Sequence, residues 1–403
     1  MPRSGWRKSE SDRRLPDLVS VGVLMKVFPA DVVDAVIAEC GRTEQRRRSL
    51  PARSMAYFAM GMALHSEGSY EDVLALISDG LAWAHRDEET PRLANKAAIS
   101  HARDRLGPEP MERLFERVAQ PIATKDTPGC WLAGRRLVAI DGTCLDLPDT
   151  PANDSGFGRP GVSKGERSAF PQARVVALAE CGTHAIFDAV IGPYTSSENA
   201  LSTELIARLR SGMLCLADRG FYSFNAWENA CSTGADLLWR VRDNLLLESV
   251  EDLPDGSFLA DVFDSVADRR RERPVRVRVI EYMIADGREA AGPFRLITTL
   301  LDHREAPAAE LAAAYAQRWE IETAFDELKT HQRGPRQVLR SKSPGLVTQE
   351  IWGHLCCHYA IRTLMFDAAE HAGRDPDRVS FVAALRISRR SIAQQGAFPP
   401  SSA

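Results

Sequence analysis

Between Ala312 and Lys329 the chain reads AAAYAQRWEIETAFDELK, with no Gly or Pro and many strong helix formers. This predicts one amphipathic helix, on which Tyr315, Arg318, Glu322 and Lys329 share a face at about 100° per residue. A solvated stripe laced with i,i+4 ion pairs accounts for most such faces. Two upstream acids favour a different reading. Asp141 lies centrally in RRLVAIDGTCLDLPD, beside Gly142, whose bare backbone leaves room for a close ligand. Asp218 ends the apolar run MLCLAD. The helix adds a third acid. Glu322 and Asp326 lie one turn apart on nearly the same face, so geometry admits either, whereas Glu320 and Glu327 point elsewhere. Three converging carboxylates call for cations, and hard oxygen donors suit Mg²⁺ or Mn²⁺. Two such ions activate a water or a 3′-hydroxyl and stabilise the leaving oxygen of an in-line phosphoryl displacement. Asp146 and Asp149 read as turn and cap residues.

The elements that must position these acids follow from the hydrophobic periods. From Leu15 to about Gln120 the period is helical. VFPADVVDAVIAECG has an early Pro and a terminal Gly, and SYEDVLALISDGLAWA opens on a capping-box pattern. Further helices are expected at TEQRRRSLPARSMAYFAMGMALH and around 95–105 and 110–118. The linker TKDTPGC separates this part from a region of period two. There RRLVAIDGTCLDLPD reads as a strand and PANDSGFGRPGVSKGERSAF as a polar, Gly-rich loop. ARVVALAECGTHAIFDAVIGPY reads as two strands turning at Cys181–Gly182–Thr183. A helix (SENALSTELIARLR), a buried strand ending at Asp218, a second helix (FNAWENACSTGA) and the strand DLLWRVRDN complete the order. Three antiparallel strands followed by alternating helices and parallel strands predict an α/β fold, an RNase H-like mixed sheet flanked by helices. Residues 242–305 read as a β-rich insertion before the organising helix, with RPVRVRVIEYMI and PFRLITTLL as its clearest strands. Two mainly apolar helices follow. The domains are therefore expected as a basic, disordered arm at 1–14 and a helical N-terminal domain at 15–124. The catalytic core is expected at 131–241 and 306–395, interrupted by the insertion.

Composition sets outer bounds. A chain of 403 residues with 44% hydrophobic and 26% charged residues belongs among ordinary globular proteins. Neither a bilayer-spanning run nor an apolar signal core is present, so a cytoplasmic protein is expected. Eight cysteines lack any CxxC pair and read as reduced, buried hydrophobes. A net charge of −4 argues mildly against nucleic acid, although local patches such as Arg46, Arg47, Arg48 and Arg53, at a helix start, do the binding where it occurs. His354 and His358 stand at i and i+4 but lack the Glu of a zinc-binding HExxH, and read as packed core. RISRRS reads as a solvated basic face, and the tail AFPPSSA as disordered.

Three motifs together resemble the insertion-sequence-four group of DDE transposases. AIDGT resembles the first catalytic motif and LADRGFYS the second. The helix carries the group's Tyr-x2-Arg-x3-Glu-x6-Lys signature, unbroken, as Tyr315, Arg318, Glu322 and Lys329. The stretch LPDLVSVGVLMKVFPADVVDAVIAECGRTEQRRRSLPAR resembles the N-terminal domain that many of these enzymes carry. The resemblance implies that Asp141, Asp218 and Glu322 are the ligands of two Mg²⁺ or Mn²⁺ ions, and so favours Glu322 over Asp326. It implies that Tyr315 and Arg318 contact the phosphate being cut, and that Lys329 holds the DNA backbone near the transferred end. Arg219, beside the second aspartate, is a further candidate for DNA contact. The implied reaction is cut-and-paste transposition on double-stranded DNA, namely terminal inverted repeats and target. A homodimer assembled on DNA, in the cytoplasm and on the nucleoid when bound, is implied with it. The rival readings are an inactive DNA-binding descendant of such an enzyme and a metal-dependent nuclease without strand transfer. Some relatives stack a flipped base on a Trp of the β insertion. The insertion here has no Trp, Phe294 is the nearest aromatic of the corresponding strand, and Trp239 and Trp319, which flank it, read as core.

Overall fold

A computed structural model of the chain describes residues 20–46, 48–85, 94–161, 168–264, 274–283, 294–334 and 338–389. The basic arm, Arg47, the middle of the Gly-rich loop, the end of RISRRS and the C-terminal tail lie outside the described residues.

The N-terminal part comprises helices α1 (Ser20–Val27), α2 (Ala30–Glu39), α3 (Ala52–Leu64), α4 (Tyr70–His85), α5 (Lys96–Leu106) and α6 (Glu109–Val118). Local signals set their limits. Pro29 caps α2, which stops at Gly41, a residue at φ 66° where a side chain would be strained. Ser69 and Asp72 cap α4 reciprocally: the Ser69 N–H and hydroxyl donate to the Asp72 carboxylate, and the Asp72 N–H donates to Ser69 Oγ. α3 is buried continuously from Met55 to Leu64 and is apolar all round, as the central helix of a bundle must be.

The central part follows the expected order: β1 (Trp131–Leu132), β2 (Arg135–Asp146), α7 (Pro151–Phe157), β3 (Gln172–Glu180), β4 (Ala185–Pro193), α8 (Glu198–Ile206), β5 (Met213–Ala217), α9 (Phe224–Ser232) and β6 (Asp236–Arg240). α7 departs from the loop predicted there. Thr150 accepts from the Asn153 N–H and Pro151 sits in the first turn, two start signals that the surrounding glycines hid. β2 lies antiparallel to β3 and parallel to β5, and β5 is parallel to β6. Leu137, Val138, Ala139 and Ile140 are all buried, so this part of β2 is covered on both faces. The insertion strands β7 (Ser249–Asp252), β8 (Phe258–Val262), β9 (Val275–Tyr282) and β10 (Phe294–Thr298) do not form a separate sheet. β10 pairs antiparallel with β6, so the described strands make one ten-stranded sheet in the order β4-β3-β2-β5-β6-β10-β9-β8-β7, with β1 beside β2. Arg278 of β9 is wholly buried and donates to Ser257 Oγ at 2.8 Å, to Asp255 and to the Ala306 carbonyl, both at 2.6 Å. It thereby ties the insertion to the chain entering the next helix.

That helix differs from the single rod predicted over 312–329. It consists of α10 (Ala308–Ala316), α11 (Trp319–Asp326) and a π turn over Glu327–Gln332. Between α10 and α11 the bonds tighten to i→i−3, from Gln317 N–H to Ala314 and from Arg318 N–H to Tyr315. The Gln317 carbonyl then accepts from the Glu320 N–H at 3.0 Å and from the Cys181 thiol at 3.7 Å. The π turn coincides with Glu327 being drawn inward by Arg362 and His358. Neither cause is local, so a helical period alone could not show them. α12 (Pro344–His371) and α13 (Phe381–Ser388) close the fold. α12 crosses α3 so closely that a side chain on Gly353 would press on the Ala59 carbonyl. Arg103 of α5, fully buried, donates to Gln349 at 2.8 Å, to the Leu346 carbonyl at 3.1 Å and to Ser341 at 3.0 Å. The N-terminal and C-terminal helices thus share one core.

Candidate active site

Register brings the two aspartates together. The parallel ladder between β2 and β5 ends at Ile140 opposite Ala217, so Asp141 and Asp218 are the next residue on each of two neighbouring strands. They stand at the carboxyl end of the parallel strands, where open α/β sheets bind ligands. Arg318 of the helix break reaches the same place. Its Nη1 lies 3.4 Å from Asp141 Oδ2 and its Nη2 3.0 Å from Glu322 Oε1, while its Nε has no hydrogen-bond partner. Arg240 Nη1 stands 3.8 Å from Asp218 Oδ1, and its guanidinium lies 4.0 Å over Phe294, which stacks on Tyr282. Lys329 Nζ donates to Thr143 Oγ1 at 3.0 Å. Thr143 is two residues beyond Asp141 and so on the same side of β2. Tyr315 is buried, its hydroxyl donating to the Ala217 carbonyl at 3.3 Å, immediately before Asp218. Arg219 is exposed beside Asp218.

The ambiguity between Glu322 and Asp326 has a geometric side. Asp326 accepts from Thr330 Oγ1 at 2.6 Å and lies 3.5 Å from His331. Glu322 is joined to Asp141 through Arg318. Glu320 accepts from the Gly182 N–H, and Glu327 is buried against Arg362 and His358. Asp146 accepts from Gln172 and Asp149 from Arg159, both structural uses. His354 and His358 are buried core residues, as expected. Trp239 is core too, edge-on to Trp227 at 5.4 Å. Trp319 is not. It is 56% exposed, with the Arg318 guanidinium 4.7 Å from its ring, because the tight turns at 317–318 re-phase the helix and turn the indole outward.

Burial pushes the Asp141 carboxyl up to about 6; the Gly142 N–H and Arg318 oppose the shift, and Glu198 and Glu322 add to it. Glu198 is a residue that reading for chemistry missed. SSEN looks like a helix start and is one, with Ser197 accepting from the Ala200 N–H, so its Glu resembled an ordinary first-turn acid. Arg240 and Thr143 were likewise invisible as site residues, because only strand register brings them here. The donors are all hard oxygens, without Cys or His, a set that fits Mg²⁺ or Mn²⁺. Among the described residues no three such ligands are already gathered into a cation cage. Arg318 and Arg240 stand where the acids would otherwise repel.

Since the folded chain keeps a proton on Asp141 up to about pH 6, cation binding must displace it. Mn²⁺ affinity is expected to fall by about tenfold per pH unit below 6, measured by titrating the full chain from about pH 7 to about pH 5. The sign for the metal-free fold follows from the same shift. Folded-state pKa above the unfolded value means that stability falls as pH rises through roughly 4 to 6, and Asp141→Asn flattens that slope.

Residues 18–116 match the family model described as insertion element 4 transposase N-terminal, and residues 132–360 match that of the transposase DDE domain. The chain is 31% identical over 376 residues to transposase InsG for insertion sequence element IS4 of Escherichia coli (strain K12), covering 92% of this chain and 82% of that protein. Among solved structures it is similar in fold to the piggyBac transposase of a synaptic complex with hairpin DNA. That similarity has a TM-score of 0.50 at 12% identity and covers 96% of this chain and 83% of that one.

Proposed function

The chain belongs to the insertion-element-4 family of DDE transposases and is a DNA transposase; on that premise we propose that Asp141, Asp218 and Glu322 are its three catalytic acids. The observation that carries this reading is the strand register, which sets Asp141 beside Asp218, together with the Arg318 bridge from Asp141 to Glu322. Enzymes of this family use divalent ions. Here Asp141, Asp218 and Glu322 would hold two Mg²⁺ or Mn²⁺ ions, whose chemistry is activation of a water or 3′-hydroxyl and stabilisation of the leaving oxygen.

The remaining residues bind and orient. The Arg318 guanidinium, a rigid fork of donors, neutralises Asp141 and Glu322 in the free protein and turns to a non-bridging oxygen of the scissile phosphate when DNA is bound. Tyr315 supplies a second donor to that phosphate, exchanging its long 3.3 Å bond to the Ala217 carbonyl. Lys329, a point charge beside Thr143, holds the backbone near the transferred end, and exposed Arg219 holds backbone beside Asp218. In the connection between α2 and α3, Arg46 and Arg48 are exposed for backbone contact, whereas Arg53 of α3 is engaged with Asp34. Two element ends must be cut in concert, which fits a homodimer on DNA. No described helix is long and apolar enough to cross a membrane, consistent with work in the cytoplasm on the nucleoid.

The test incubates the full chain with Mg²⁺ and DNA carrying the inverted repeats that flank its gene. Metal-dependent cleavage at the repeat ends followed by joining to target is expected. Binding without metal-dependent cutting would leave an inactive DNA-binding descendant, and nicking of arbitrary DNA without joining would leave a plain nuclease.

A further inference from the structure

The Glu198 carboxylate lies over Gly142 so closely that a β-carbon added there would overlap Glu198 Oε1. Gly142 is the neighbour of Asp141 on β2, so the missing side chain is the space this carboxylate occupies. Its placement is set by backbone rather than chance: Ser197 caps α8, and Glu198 is the first residue of that helix. Glu198 is part-buried, yet among the described residues no donor hydrogen-bonds its carboxylate and no cation pairs with it within salt-bridge distance. Solvent reaches its oxygens, so water stands in for a partner in the free protein. Its neighbours sharpen the point. Burial raises its pKa, the charge of Arg174 opposes the shift, and the charge of Asp218 adds to it. Asp141 is in turn raised by Glu198. The carboxylate therefore stands within electrostatic reach of both aspartates, with no bonded partner among the described residues.

We propose that Glu198 is a fourth carboxylate ligand of the divalent-cation site formed by Asp141 and Asp218, admitted to it by Gly142. The inference rests on the reading of those aspartates as cation ligands. A bound cation supplies the partner that Glu198 lacks, and a hard oxygen donor is what Mg²⁺ or Mn²⁺ accepts. The competing role is a purely local one, a first-turn acid that favours the dipole of α8.

The experiment titrates Mn²⁺ alone into the full-length chain and follows free Mn²⁺ by electron paramagnetic resonance, with thermal unfolding recorded without metal. Glu198→Gln is expected to weaken Mn²⁺ binding by about tenfold or more, with little change in metal-free Tm. Gly142→Ala, whose methyl expels the Glu198 carboxylate, is expected to weaken binding comparably, but to add little when position 198 is already Gln. Asp218→Asn separates the two levels of the argument. If it weakens binding while Glu198→Gln does not, Glu198 is no ligand, and a lowered metal-free Tm in Glu198→Gln alone would assign it to the helix dipole. If Asp218→Asn also leaves Mn²⁺ affinity unchanged, the reading of the aspartates fails and this inference fails with it.

Discussion

Asp218→Asn is expected to lower DNA cleavage by at least about 10³-fold while the protein folds and binds DNA as before. The magnitude follows from removing one oxygen anion from a site whose cations contribute several kcal/mol of transition-state stabilisation. The selectivity follows from the position. Asp218 lies just past the end of β5, its side chain is 36% exposed, and its only ionic contact among the described residues is Arg240 at 3.8 Å. A neutral amide of the same shape therefore leaves the core untouched. Losing a negative charge beside the bound phosphates would leave DNA affinity equal or raise it slightly. A gel-based cleavage assay run beside a binding assay checks both halves. Cleavage within tenfold of the unsubstituted chain would remove Asp218 from the catalytic set.

The largest effect on stability is expected at Glu327. This acid in the π turn is buried against Arg362 of α12, with Nε at 2.8 Å from Oε2, and against His358 Nε2 at 3.1 Å. Arg362 also meets His184 Nδ1 at 2.7 Å, and His184 Nε2 lies 3.1 Å from Asp377. Burial works to raise the Glu327 pKa, but the bonds from His358 and Arg362 outweigh it and hold the carboxyl below its usual range. Removing the acid strands a buried guanidinium, so Glu327→Ala should cost about 3–5 kcal/mol. Replacing the pair together, Glu327→Leu with Arg362→Met, should recover much of that loss because no charge is left unpaired. Denaturant unfolding of the single and double variants measures both. A single-variant loss under about 1 kcal/mol would show that this ion pair is not holding the turn.

The two sites differ in how far they could be read from residue order. The strands around Asp141 and Asp218 were legible because period-two runs, a short Cys181–Gly182–Thr183 turn and alternating helices allow few topologies. The pair of acids followed from that topology. The third acid did not, since Glu322 and Asp326 share a helical face; the proposal of Glu322 leans on its Arg318 bridge to Asp141, whereas Asp326 bonds Thr330. The break at Gln317–Arg318 left no trace in a stretch free of Gly and Pro, and the side chains that meet it, Cys181 and Asp141, are distant in sequence. The same break turned Trp319 from expected core into an exposed indole. Glu198 was hidden for a different reason. Its helix-start context explained it fully, and only the space above Gly142 gives it a second meaning.

The crossing of α3 and α12 at Ala59 and Gly353, with Arg103 buried among Ser341, Leu346 and Gln349, makes the two ends of the described chain interdependent. α3 packs on its N-terminal neighbours on one side and on α12, far along the chain, on the other. α12 thus covers a flank of α3 that would otherwise be bare. A chain lacking α12 is expected to lose both the helix that α3 crosses and Arg362, the buried partner of Glu327.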